Sequence, residues 1–329
     1  MARSKRPAPI APVTWRDGVH LTGTPIWCDA RRRRDVCFVS SADRVGRAGH
    51  GQLIGTPITL ALVARETGHL AVPVHRPFTL GTLRLELIPS GRGLGAAALH
   101  VDGGGRTVLY AGAIRTVNPT EAAEVRACEA VVVAAPFGEV KHKFPPVDDV
   151  AGKLVAWVRA QLAAGKTPVL VVDTVLDGIE VAARLAAEEL VVAGSRTLRD
   201  AALRIGSVPG GAAAATTRGT RGVKIPAIRS PGKEPAATIR LETDRVKLAE
   251  GAKAMTALVS GRALDQQSGW DAGFAWPFVA GREQLLGWIE QSRAKDVFVT
   301  GACAEAIVDK LGPRARVLGP PHQMALFAP

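Results

Sequence analysis

The sequence predicts an α/β protein with a β-rich front half. Two observations carry this: the period of the apolar residues changes near residue 150, and Gly, Pro and basic residues gather in one long segment, 206–237. Up to residue 145, short apolar runs are separated by glycine turns. They include 36–40 (VCFVS), 83–88 (LRLELI, with Leu83, Leu85 and Leu87 on one face) and 106–112 (RTVLYAG). Gly103-Gly104-Gly105 marks a hairpin turn before the last of these. From residue 150 the spacing is helical, with Val150, Leu154, Trp157, Val158 and Leu162 on one stripe and Gly165 closing it. A buried strand at 168–173 (PVLVVD), a helix at 178–190 and an apolar run from Leu190 to Ala193 follow, the alternation of parallel α/β units. Segment 206–237 reads as a long exposed loop. Beyond it the pattern gives a strand at 255–260, a helix at 281–291, a strand at 296–300 and a helix at 302–311, with no internal repeat.

The chain has 329 residues, 47% hydrophobic and 22% charged, which excludes a coiled coil, a mini-protein and a disordered chain. No run approaches the roughly 18 uncharged apolar residues of a membrane span, and the basic N-terminal head has no apolar run behind it. Cys28, Cys37, Cys128 and Cys303 stand far apart without CxxC spacing, so neither a disulfide framework nor a cysteine zinc site is expected, and a cytoplasmic location is. The net charge is +12. Most of the surplus sits in residues 1–35 and 209–235, the clustering expected of a surface for phosphate backbones or, equally, of solvated loops.

A series of segments, in order, gives a more specific expectation. Thr24-Pro-Ile-Trp-Cys-Asp29 is followed by Phe38-Val-Ser40, Gly55-Thr-Pro57, Pro89-Ser-Gly-Arg92-Gly-Leu-Gly95, Leu109-Tyr-Ala-Gly-Ala113 and Ala134-Ala-Pro-Phe-Gly138. Later come Val169-Leu-Val-Val172, Ser260-Gly261, the stretch from Asp271 to Leu286, and Val297-Phe-Val-Thr300. The series resembles the metallo-β-lactamase/β-CASP nuclease family, whose members include messenger-RNA 3′-end processing factors and DNA-ligase-associated exonucleases. The resemblance implies an αββα sandwich from residues 1–147 and 256–329, with an inserted α/β β-CASP-like domain at 148–255.

It also implies a dizinc centre in which histidines and carboxylates hold the metals and a metal-bound hydroxide attacks a phosphodiester. Aligning the segments places Ser41, Asp43, Val45 and Gly46 at the family's HxHxDH positions, Arg92 at the next histidine, Ala113 at the bridging aspartate and Gly301 at the last histidine. The glutamate of a further motif falls on Ala134, and SDH falls on Pro277, Phe278 and Val279. Hydroxyls, aliphatic side chains and a guanidinium cannot replace imidazole and carboxylate donors, so zinc is not expected here.

Arg92 has two readings: a cation offered to phosphate, or a partner of Asp43 or Asp29. For nucleic-acid contact the candidates are Arg92, Arg218, Arg221, Lys224 and Arg229, with Trp270 and Trp276 as surfaces for base stacking, against the alternatives of solvated loop and apolar core. Taken together, the resemblance implies a catalytically degenerate homologue that binds RNA or single-stranded DNA or pairs with an active homologue or another processing protein. An active phosphodiesterase with an atypical metal site and a protein-binding scaffold are the alternatives. No membrane partner is expected.

Overall fold

The computed structural model describes residues 11–44, 48–63, 68–118, 120–208, 225–231, 238–243, 253–265 and 268–320. Six strands form the first sheet in sequence order: β1 (Val13–Trp15), β2 (Val19–Leu21), β3 (Ile26–Cys28), β4 (Val36–Phe38), β5 (Gln52–Gly55) and β6 (Leu70–Ala71). Helix α1 (Pro57–Val63) lies between the last two. A second sheet starts with β7 (Phe78–Leu80), β8 (Leu83–Pro89), β9 (Ala97–Gly103), β10 (Arg106–Gly112) and β11 (Ala130–Ala134). The β9–β10 hairpin turns where the glycine run predicts, because Gly104 and Gly105 both take left-handed backbone (φ +62° and +74°).

After β11 the chain leaves this sheet through α2 (Val147–Ala163) and builds a third. Its elements are β12 (Thr167–Val171), α3 (Val175–Ala187), β13 (Val192–Gly194), α4 (Arg196–Ser207), β14 (Ile239–Glu242), β15 (Ala254–Val259) and β16 (Ala272–Phe274). All pairings in the third sheet are parallel, in the order β13-β14-β12-β15-β16. Helix α5 (Arg282–Gln291) then returns the chain to β17 (Asp296–Thr300), which pairs parallel to β11 from Ala130↔Asp296 to Ala134↔Thr300. Helix α6 (Ala304–Leu311) and β18 (Ala315–Val317) complete the second sheet. The third sheet is thus inserted between two neighbouring strands of the second. It reaches Phe274, past the expected boundary at residue 256, because β15 pairs with β12 and β16 with β15.

Alternation along the strands decides the layers. Val19, Leu21, Ile26, Cys28 and Phe38 of the first sheet share one core with Leu87, Leu99, Tyr110 and Val132 of the second, so the two sheets face each other. On the other side of the second sheet, Leu109, Val131, Val133, Val297 and Val299 pack against Leu285 and Ile289 of α5 and Ile307 of α6. Leu60 of α1 covers Cys37, Val39 and Leu53 behind the first sheet. In the third sheet, Leu170, Val172, Leu241 and Val259 pack on Leu154 and Val158 of α2 and on Val181 and Leu185 of α3. An α/β protein is what this describes. Among the described residues no helix is long and apolar enough to cross a membrane.

Within 206–237, α4 extends to Ser207, and residues 225–231 run beside β13 through a bridge between Ala193 and Arg229. Arg218, Arg221 and Lys224 lie outside the described residues, as do Val45 and Gly46.

Candidate functional site

The loop after β8 turns Arg92 inward because its glycines allow it. Gly91 (φ +70°) has its α-carbon against the Arg115 carbonyl, where no side chain fits, and at Gly95 (φ +76°) a β-carbon would sit 2.7 Å from that of Ile58. Arg92 is consequently 7% exposed, and both terminal nitrogens of its guanidinium are hydrogen-bonded. Nη1 donates to Asp177 Oδ1 at 2.6 Å, and Nη2 donates to Asp43 Oδ2 at 2.9 Å and to Asp177 Oδ2 at 3.3 Å. The Thr174 hydroxyl accepts from Nη2 at 3.4 Å. Thr174 caps α3 by accepting from the Asp177 N–H, so the helix start presents Asp177 to the arginine. Ser41 in turn donates to Asp43.

Two carboxylates facing one guanidinium are not equivalent. Burial pushes Asp177 up to about 6, against the pull of Arg92. Asp43 is also driven upward by burial, but Arg92, the Ser41 hydroxyl and Arg44 outweigh this and hold it below the usual carboxylate range. Arg92 stays charged, since the two carboxylates more than offset its burial. The reading in which Arg92 offers its charge to phosphate is therefore corrected: the charge is already matched inside the protein.

One turn along α3, Glu180 accepts from Arg115 Nη1 at 2.8 Å and from Trp276 Nε1 at 2.9 Å. Trp276 is fully buried and stacks on Phe278 with ring centroids 5.7 Å apart. It cannot stack on a base; the apolar segment 276–280 is buried where the chain passes from β16 to α5. Trp270 is half-buried, and Arg229 projects an exposed side chain from the segment beside β13. Asp29 serves the framework, accepting from Ser40 N (2.8 Å), Ser40 Oγ (2.6 Å) and the Tyr110 hydroxyl (2.8 Å).

Asp43, Arg92 and Ala113 line one cavity of about 140 Å³ together with Phe278 and Val279. Beside it a larger cavity of about 520 Å³ is bounded by Asp43, Asp173, Thr174, Asp200 and Arg204. Gly301 sits at the end of β17 with φ +99°, its α-carbon so close to Ala135 that a β-carbon would stand 2.9 Å from that carbonyl oxygen. No family model matches the chain, and no curated protein does. Among solved structures the chain is similar to a protein of unknown function from Enterococcus faecalis V583, with 13% identity and a TM-score of 0.52 over 87% of this chain and 79% of that one. Such a likeness concerns the fold alone.

The donor set does not fit zinc. Ala113 and Gly301 have no side-chain lone pair, a charged guanidinium repels a cation, and Asp43 spends its oxygens on Arg92 and Ser41. Among the described residues no group of three His, Cys, Asp or Glu side chains stands close enough to hold a metal.

A second polar cluster joins His142, Asp265 and Cys303. His142 Nε2 lies 2.9 Å from Asp265 Oδ2, and Cys303 Sγ lies 3.9 Å from His142 Nδ1. The order of groups is that of a nucleophile, a base and an orienting acid. Yet Nδ1 already accepts the Gly138 and Glu139 N–H groups at 3.2 Å each, and Cys303 and His142 are both buried. The cluster fastens the 136–142 turn to α6. Sequence reading missed Thr174, Asp177, Glu180 and Arg115. Of these, Thr174 and Asp177 carry a signal, the T-x-x-D spacing of a helix start.

Proposed function

We propose that the chain is a catalytically degenerate member of the metallo-β-lactamase/β-CASP nuclease family, an αββα sandwich with an inserted β-CASP-like domain. It acts in cytoplasmic nucleic-acid processing by binding RNA or single-stranded DNA or by pairing with an active homologue. One observation carries this reading. Three residues far apart in sequence, Asp43, Arg92 and Ala113, which the resemblance aligns with ligands of one metal centre, line a single cavity, and among the described residues no group of three His, Cys, Asp or Glu side chains there could hold a metal. In support, Arg92, at one aligned position, forms ion pairs with Asp43, at another, and with Asp177.

The surplus of positive charge supports a polyanionic partner. The test is metal content by elemental analysis of the purified chain, with a labelled single strand titrated into the same sample at two salt concentrations. Substoichiometric zinc with salt-sensitive binding is expected. Two zinc ions per chain would return the protein to the nucleases, and no binding at all would turn the search to protein partners.

A further inference from the structure

The outer face of the first sheet carries a cationic surface beside an aromatic stack. In the β2–β3 pair His20 stands opposite Trp27, and both point away from the shared core that takes Val19, Leu21, Ile26 and Cys28. Their rings stack at 4.6 Å with an interplanar angle of 26°. The Arg34 guanidinium lies over the Trp27 ring at 3.8 Å, a cation–π contact. Helix α1 covers this sheet at β4 and β5, while His20 and Trp27 remain half-exposed. Around the stack, Arg16, Arg31, Arg32 and Arg33 are exposed. Two exposed or half-exposed carboxylates accompany these five arginines: Asp17, paired with Arg32 at 3.0 Å, and Asp35. Asp29 is turned inward to Ser40 and Tyr110.

The arginine loop is also fixed in shape. Arg31 N donates to Asp17 O at 2.6 Å, Arg34 Nη2 to Arg16 O at 2.7 Å, Arg34 N to His50 Nδ1 at 3.2 Å, and Gly51 N to Arg34 O at 2.9 Å. Gly18 lets the β1–β2 turn press on this loop, since a β-carbon there would stand 2.5 Å from Ala30 Cα. A pre-ordered backbone spares a ligand the entropy of ordering it.

We infer that residues 31–34, with Arg16 and the His20–Trp27–Arg34 stack, bind the sugar-phosphate backbone and bases of a single-stranded nucleic acid. This rests on the proposed function and gives it a surface away from the buried Arg92 cluster. Charge complementarity selects a polyanion, and the partly exposed edge of the His20–Trp27–Arg34 stack beside the arginines favours one that carries bases as well as phosphates. An acidic peptide would use only the first feature.

The test titrates the full chain with fluorescein-labelled 20-mers of uridylate and of thymidylate across a salt series, alongside vesicles of phosphatidylserine and phosphatidylcholine. The variants are R31A/R33A and R31K/R33K, both at exposed positions, with the thermal midpoint read as a check on folding. The wild type is expected to bind the strands. R31A/R33A should lower the slope of log K against log salt by about 1.4, at about 0.7 per lost phosphate contact, with R31K/R33K restoring most of it. If the wild type binds and R31A/R33A keeps its affinity and slope, the surface is wrong and the proposed function stands. Binding of neither strand by the wild type overturns the inference and leaves the proposed function only its pairing with a protein partner. Loss confined to vesicle binding would identify a membrane surface and overturn the inference.

Discussion

Three charged groups meet at Arg92, and two of them are carboxylates. When Asp177 is neutral, Arg92 and Asp43 form a matched pair; when it is ionised, the buried cluster carries a surplus negative charge. A carboxyl whose native pKa of about 6 lies above its ordinary 3.8 takes up a proton on folding between those values. Stability through this group therefore rises as pH falls from 7 towards 4.5, by about 2 kcal/mol, and Asp43, shifted the other way, gives up its contribution only at lower pH. Asp177→Asn keeps an oxygen for Arg92 and removes the titration. Urea unfolding at pH 7 and pH 4.5 should show the acid-side gain in the wild type and its absence in D177N; equal profiles would place the proton elsewhere. At this scale the sequence was half-legible. The alternative of an Arg92–Asp43 pair was visible from the aligned segments, but Asp177 is 85 residues away and only the tertiary fold brings it in.

Elements were legible where a period had room to repeat. Strands β8 and β10 and helices α2, α3, α5 and α6 lie close to the segments whose spacing predicts them. Strands β1, β2 and β3 have three residues each, too few to show alternation, and they exist through their neighbours in the sheet. Helix α4 was missed for a different reason. Its buried stripe of Leu198, Ala201, Ala202 and Ile205 is half alanine and is interleaved with Arg196, Arg199 and Arg204, so the segment is polar on the whole although its two faces differ sharply, and it runs straight into the basic Gly/Pro-rich segment. Its start, however, is marked by Ser195, whose hydroxyl accepts from the Leu198 N–H. Ser195→Ala should lower stability by about 1 kcal/mol in chemical denaturation, and Ser195→Asp should retain it, because a carboxylate accepts the same bond and suits the positive end of the helix.

At the scale of the whole molecule, the inserted third sheet is tied to the first two by groups that cannot be separated without leaving charge buried. Arg92 reaches Asp177, Arg115 reaches Glu180, and Ile58 of α1 packs with Ile179, Ala201 and Ile205 of α3 and α4. Chain connectivity alone would let the insert open by itself, since it joins the second sheet only between β11 and β17. These contacts make local opening of the insert expensive, so amides of β12 and β14 should exchange hydrogen with an opening free energy matching that of β10 and β11. Glu180→Ala breaks the coupling selectively. It strands the Arg115 guanidinium, which is 1% exposed, and removes the acceptor of Trp276 Nε1. A loss of about 3–5 kcal/mol follows from unpairing a buried charge. Because Glu180 lies on α3, protection should fall first in β12 and β14, while β10 and β11 keep theirs. Uniform loss across all three sheets would mean that the junction and the cores form one cooperative unit, and slower protection loss in the third sheet than in the second would show that the insert does not depend on this junction.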